Sequence, residues 1–143
     1  MNMKRIPLTR PYFTGDELGR IEKVLDSGWV TQGPLVAEFE QAFAWFTGSR
    51  HVLAVNSCTA SLHLALLALN ISEDDEVIVP SFTFAASANV VEHCRARTVL
   101  CDIDPETYTI DADQIESRIT PRTRAIMPVH LFGQLADMDP IMA

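Results

Sequence analysis

Lysine is scarce: Lys4 and Lys23 are the only two in 143 residues, beside nine arginines and 19 acidic residues, for a formal charge of −8. That balance excludes binding through clustered positive charge, so neither nucleic acid nor an anionic membrane is an expected partner. The arginines are scattered apart from Arg95/Arg97 and Arg118/Arg122/Arg124, groups that read as solvated surface. Neither lysine is placed for amine chemistry. Lys4 lies in the N-terminal lead-in and Lys23 in the middle of a surface-type helix, whereas reactive groups of an α/β sheet sit where strands end. Cysteine is also sparse. Cys58, Cys94 and Cys101 are odd in number and lack metal-type spacing, which argues against a disulfide framework and suits a reducing compartment. His51, His63 and His93 have no carboxylate or cysteine at ligand spacing, so no metal site is expected. Long apolar runs are missing as well. The stretch Leu62–Leu69 is too short to span a bilayer, and MNMKRIPLTR has no run of signal-peptide length. A cytoplasmic location follows as the expectation.

What is present is an ordinary globular composition, 48% hydrophobic, in a length that suits one domain. Thr14 and Glu17 have the spacing of a capping box, and Leu18, Ile21, Val24 and Leu25 follow at helical period until Gly28. The loop Gly28-Trp29-Val30-Thr31-Gln32-Gly33 comes next. Pro34 then opens a second helix with Phe39, Phe43 and Phe46 on its apolar side, ending at Gly48. Beyond it the pattern alternates. A strand is expected over His51–Asn56, and then a helix over Cys58–Leu69 that is apolar nearly all round and so expected to be covered on more than one side. A strand over Glu76–Pro80, a helix from about Ala85 to His93 and a strand over Thr98–Asp102 follow. Asp111 caps a helix carrying Ile115 and Ile119, and Arg124–Val129 is a fourth strand. Such alternation indicates an α/β layered fold with a largely parallel sheet. Asp137-Met138-Asp139-Pro140 reads as a fresh helix start less than one turn before Ala143, so the chain reads as truncated.

Two segments are candidates for chemistry. Asn56-Ser57-Cys58-Thr59-Ala60-Ser61 joins a strand to the helix it feeds. Backbone N–H groups at a helix start lack intrahelical partners, and with the positive end of the helix dipole they favour an anion. The small side chains would let a phosphate approach, and Thr59 adds a hydroxyl; a tight turn of small residues has the same appearance. Pro80-Ser81-Phe82-Thr83-Phe84-Ala85-Ala86-Ser87 follows the next strand, at the edge where open α/β sheets bind ligands. An aromatic there could stack on a flat heterocycle, or Phe82 and Phe84 could be core. Asp102-Ile103-Asp104 has the form of a metal-binding D-x-D pair, but with Pro105 it also makes a common turn. His130, just after the fourth strand, is a further candidate for ligand contact.

Taken in order, SGWVTQGPLVAEFEQAF, AVNSCTASLHLALLAL, DEVIVPSFTFAAS, VLCDIDPETYTID and ITPRTRAIMPVHLFGQLADMDPI resemble the DegT/DnrJ/EryC1/StrS family of sugar aminotransferases, across the whole chain. The resemblance implies a three-layer α/β/α architecture, part of the large domain of the pyridoxal-phosphate-dependent transferase fold type I. Residues 1–33 would be an N-terminal helix and active-site loop, and 34–143 the N-terminal part of the cofactor-binding domain. It also implies that Cys58 and Thr59 hold the phosphate of pyridoxal 5′-phosphate and that Phe84 stacks on its ring. Trp29 and Thr31 would lie at the active-site mouth, facing substrate. The implied reaction moves an amino group from an amino acid, usually glutamate, to a nucleotide-linked keto sugar, in a homodimer. The family's catalytic lysine and the aspartate that pairs with the pyridine nitrogen would fall beyond Ala143, so no catalytic residue is assigned here. Cys58 stands where many relatives carry glycine or alanine. Two alternatives stay open: a sugar dehydratase of the same fold, and a non-catalytic remnant or partner subunit.

Overall fold

Backbone pairing in the computed structural model, which describes Pro7 and residues 9–143, centres on one strand. β1 (Glu76–Pro80) lies between β2 (Arg97–Cys101) and β3 (Thr123–Ile126), parallel to both. Ile78 stands opposite Val99 on one side and Ile126 on the other. A strand flanked on both edges and covered on both faces must be apolar throughout. Glu-Val-Ile-Val-Pro meets that demand except at its first residue, and all five are buried.

The helices are α1 (Glu17–Ser27), α2 (Pro34–Thr47), α3 (Cys58–Ala68), α4 (Ala86–His93), α5 (Ala112–Ile115) and α6 (Met138–Met142). Successive strand side chains point to opposite faces, and β1 sorts the core accordingly. Val77 and Val79 join Leu66 of α3 and Val90 and Val91 of α4 in one cluster. Ile78 joins Cys101, Ile110 and Ile115 in another, with Met138 and Ile141 of α6 against it. Helices therefore cover the sheet on both faces, giving three layers. Each fully buried valine or isoleucine contributes about 1.5–3 kcal/mol.

The charge at the head of β1 is held by distant residues. Glu76 is 2% exposed. Thr120 Oγ1 donates to it at 2.6 Å and Arg122 at 2.7 Å, with Arg97 3.7 Å away. The Thr120 hydroxyl, followed by the Arg122 and Arg97 guanidinium charges, holds its carboxyl below the usual range despite the opposing effect of burial.

The chain divides into two compact units, one ending at Ala54 and the other Val55–Ala143. The sheet and both core clusters belong to the second. In the first, neither α1 nor α2 buries a residue; Phe39 and Phe43 pair at 5.8 Å between ring centres, and Phe46 is 80% exposed. Half of the expected capping box forms. Thr14 and Gly15 N–H groups donate to the Glu17 carboxylate, while the Thr14 hydroxyl also donates to it and Asp16 takes the cap position.

Several expectations need correction. Residues 51–56 form no strand, because a strand exists only by pairing and none of the three strands takes them as a neighbour. Within the first unit Ala54 N–H is satisfied instead by Glu40 Oε1 at 2.8 Å. Within the single chain, burial on α3 is slight. Leu66 is its one buried residue, and Leu64 and Leu67 stay about half exposed at 49% and 48%. The helix after Asp111 ends at Ile115 and tightens into a 3₁₀ turn, Glu116–Arg118, so Ile119 leaves it in an extended conformation. β3 stops at Ile126, three residues short of the expected end, and Asp137 occupies the cap of α6 without a side-chain hydrogen bond.

Candidate functional site

At the start of α3, local chemistry decides which donors stay free. Ser57 is extended (φ −161°, ψ 155°), as an N-cap residue must be, and its Oγ accepts the Ala60 N–H at 3.1 Å. Its carbonyl accepts the Ser61 N–H at 3.1 Å. Of the first four amides of the helix, two are thereby satisfied. Those of Cys58 and Thr59 have no acceptor among the described residues, nor does the Thr59 hydroxyl. Both side chains are exposed. The result is a pair of adjacent N–H groups and one hydroxyl at the positive end of an 11-residue helix. The capping role of Ser57 was not anticipated, although a serine directly before an apolar helix is its usual signature.

Phe84 lies between β1 and α4. The Ser87 N–H donates to its carbonyl at 3.0 Å, and Ser87, 5% exposed, also bonds Thr83 Oγ1 at 3.0 Å. The backbone of the turn is thus fixed from below while the Phe84 ring is 77% exposed. Neither aromatic of this segment is core: Phe82, 49% exposed, sits 6.1 Å from the Tyr108 ring. An exposed ring on an anchored turn is available for stacking.

The other candidates behave differently. Asp102 Oδ1 accepts Ser81 Oγ at 3.1 Å and its own neighbour's Ile103 N–H at 2.9 Å. Asp104 Oδ1 accepts the Glu106 and Thr107 N–H groups at 2.6 and 2.9 Å, and the Thr107 amide, then that of Glu106, keeps its carboxyl below the usual range. Both carboxylates are engaged in turn geometry, and no group of three or more metal-type ligands occurs among the described residues. A cavity of about 490 Å³ is lined by Asp104, Asp111, Asp113, Gln134 and Asp137; Cys58, Thr59 and Phe84 do not line it. Burial pushes the thiols of Cys94 and Cys101 up, which leaves them inert at neutral pH. His130 Nδ1 accepts the Ala136 N–H at 3.0 Å.

The first unit holds Trp29 and Thr31. Gly28 ends α1 in the left-handed conformation (φ 73°), and the Trp29 N–H donates to Ser27 Oγ at 3.1 Å. The indole lies on Gly33, where a β-carbon would come within 2.8 Å of Trp29 Cε3; only glycine permits that approach. Trp29, Thr31, Lys23, Val24 and Pro34 line a mostly apolar cavity of about 400 Å³. No helix among the described residues is long and apolar enough to cross a membrane.

Comparison with known proteins bears on all of these segments. The family model for the DegT/DnrJ/EryC1/StrS aminotransferases matches residues 11–143. GDP-perosamine synthase of Caulobacter vibrioides is 49% identical over 142 residues, 99% of this chain and 38% of that protein. Among solved structures, Spr1654 of Streptococcus pneumoniae, assigned as a sugar aminotransferase and solved in its PLP form, superposes with a TM-score of 0.90 at 37% identity. The match covers 97% of this chain and 36% of that one. The NtdA protein of Bacillus subtilis, with bound cofactor PMP, gives 0.85 at 37% identity over 96% of this chain and 34% of its own. The chain spans little more than a third of the length of the curated relatives it matches. Its fold is that of the pyridoxal-phosphate-dependent transferases of fold type I.

Proposed function

Because this chain belongs to the DegT/DnrJ/EryC1/StrS aminotransferase family, we propose that it is the phosphate-anchoring and ring-stacking part of a cytoplasmic sugar aminotransferase. The observation that carries this reading is the pair of unpartnered N–H groups on Cys58 and Thr59, in the same unit as the exposed ring of Phe84. These residues fit pyridoxal 5′-phosphate. Two amides and the Thr59 hydroxyl supply three donors to a phosphate dianion, each charge-assisted bond contributing about 1.5–3 kcal/mol. A Phe84 stack adds about 0.5–1.5 kcal/mol beyond burial. When bound, the cofactor supplies the electron sink for amino transfer.

The protein's own part is to bind and orient. Cys58 and Thr59 fix the phosphate end through backbone groups that cannot rotate away. Phe84 fixes the plane of the ring. Trp29 and Thr31 take a substrate-facing role, supported within their unit by the cavity they line. The substrate class on this reading is a nucleotide-linked keto sugar, with an amino acid, glutamate by preference, as donor, and the working form is a homodimer. On this reading the domain division falls after Gly33, with the active-site loop before it and part of the cofactor-binding domain in 34–143. Neither Lys4 nor Lys23 is the amine that holds the cofactor.

The test is twofold. Pyridoxamine 5′-phosphate, which carries no aldehyde, should bind saturably and be displaced by inorganic phosphate. Borohydride reduction with pyridoxal 5′-phosphate, followed by peptide mapping, should leave only sparse label on Lys4 and Lys23. No saturable binding, or a stoichiometric adduct on one of those lysines, would overturn the reading.

A further inference from the structure

We propose that His63 and His93 form a two-histidine site for a divalent late transition-metal ion, bridging α3 and α4. The site stands apart from the cofactor reading above. Both helices lie on the same face of the sheet, where Leu66 of α3 and Val90, Val91 and Cys94 share one buried cluster with Leu62 against it. Residues three apart on a helix lie on one side. His63 comes three before Leu66 and His93 three after Val90, so both imidazoles flank that contact. His93 is exposed and His63 half-buried. Their ring centres stand 5.6 Å apart, with the planes at 64°. No spacing along the chain pairs these two residues; helix packing does.

The separation suits a shared ion. A tetrahedral ion bound by one nitrogen of each ring at about 2.0–2.1 Å sets the ring centres roughly 5 Å apart. The centre is the informative point because it lies close to the Cβ–Cγ axis. Turning a ring about that soft torsion changes which nitrogen points inward and moves the centre little. Neither ring is held against such a turn: among the described residues His130 has a hydrogen-bonded imidazole, while His63 and His93 have none. No nitrogen of the half-buried His63 is sealed from solvent without a partner, so an ion can reach it. The chain's charge of −8 does not oppose a cation.

The ligand type selects the ion. Imidazole suits Zn²⁺, Ni²⁺ and Cu²⁺, whereas Mg²⁺ and Ca²⁺ require oxygen. Two neighbours of His93 are otherwise engaged. Cys94 is buried in the core cluster, and Glu92 Oε1 accepts the Thr98 hydroxyl at 3.0 Å. No third His, Cys, Asp or Glu completes a set among the described residues, so water fills the remaining positions and the ion is exchangeable. Bound to both rings, it ties the last residue of α4 to the second turn of α3. The unfolded chain holds the two histidines in no fixed relation, so the ion favours the folded state. The helix whose first turn presents the free Cys58 and Thr59 amides is thereby pinned to its neighbour.

The experiment is a calorimetric titration of the chain with Zn²⁺ alone, in a buffer that does not chelate, beside a thermal melt. One ion should bind per chain and raise the melting midpoint, and Mg²⁺ should do neither. His63→Asn and His93→Asn should each weaken Zn²⁺ binding by about tenfold or more, since even a change behind a metal ligand costs that much. Replacing both should cost little more than replacing either, because one imidazole alone does not chelate. His51→Asn should bind as the parent does. No Zn²⁺ binding by the parent, or a His93→Asn variant within twofold of it, overturns the proposal. If His63→Asn does not fold, the parent decides with paramagnetic Ni²⁺. The ring-proton resonances of two of the four histidines should broaden together, one of them being the signal lost in His93→Asn. Broadening of a single histidine, or of all four alike, refutes the shared site. Neither outcome bears on the cofactor reading.

Discussion

Replacing Cys58 by proline separates backbone anchoring from everything else at the start of α3. Cys58 is the first residue of that helix, the one helical position where proline is well tolerated, because its N–H has no intrahelical acceptor to lose. Ser57, at φ −161° and ψ 155°, already has the extended conformation that a residue before proline requires. The Ser57 bonds to Ala60 and Ser61 do not involve the substituted amide. The fold should therefore survive while one of the two free donors disappears. If that donor makes a charge-assisted bond to phosphate, it is worth about 1.5–3 kcal/mol, or about 10- to 150-fold in affinity. The measurement is a titration with 4′-deoxypyridoxine 5′-phosphate and with the same compound lacking phosphate. The ratio of the two affinities isolates the phosphate contribution. In Cys58→Pro that ratio should fall by the factor given; in Cys58→Ala, which keeps the amide, it should not change. A proline variant that discriminates as well as the alanine variant would refute backbone anchoring. So would an alanine variant that loses tenfold, since the thiol would then be the ligand.

Other outcomes follow from single residues. Gly33→Ala places a β-carbon 2.8 Å from Trp29 Cε3 and must displace the indole. Trp29 is 58% exposed, so the ring is free to swing outward, and greater acrylamide quenching of its emission is expected in a Trp45→Phe background; unchanged quenching would show that the ring is not seated on Gly33. Acid stability depends on two carboxylates. The Thr14 amide, with those of Glu17 and Gly15, holds the Glu17 carboxyl down at about 2, from an ordinary 4.5. Below 4.5 the unfolded chain binds a proton that the folded chain refuses, so its contribution is complete above that pH and is lost as pH falls toward 2. Glu76, lowered chiefly by the Thr120 hydroxyl, acts in the same sense. Urea midpoints should therefore drop less between pH 4.5 and 2 in Glu17→Gln than in the parent; parallel curves would count against the Glu17 contacts.

Much of the fold was readable from local pattern. A buried parallel strand has no polar face, which is why Val-Ile-Val-Pro after Glu76 stands out as an unbroken apolar stretch. The order of five segments carried the family and the fold. Residues 51–56 show the limit of such reading: His-Val-Leu-Ala-Val-Asn has strand composition, but pairing is supplied by another segment, and none of the three strands supplies it. The all-round apolar character of α3 likewise could not say which side would be covered.

The sequence by itself determined the alternation of strands and helices, the run of small residues at 56–61, and the aromatic after β1, because each depends on neighbours a few residues apart. Tertiary structure decided which polar groups were spent and which were left. Glu76 accepts from the Thr120 hydroxyl and the Arg122 guanidinium, 44 and 46 residues away. Asp102 is engaged by Ser81, 21 residues away. His130 has its tautomer set by an amide that only a left-handed turn brings within 3.0 Å. A hydrogen bond is satisfied by whichever group the folded chain delivers at about 3 Å, and spacing along a sequence does not fix that distance.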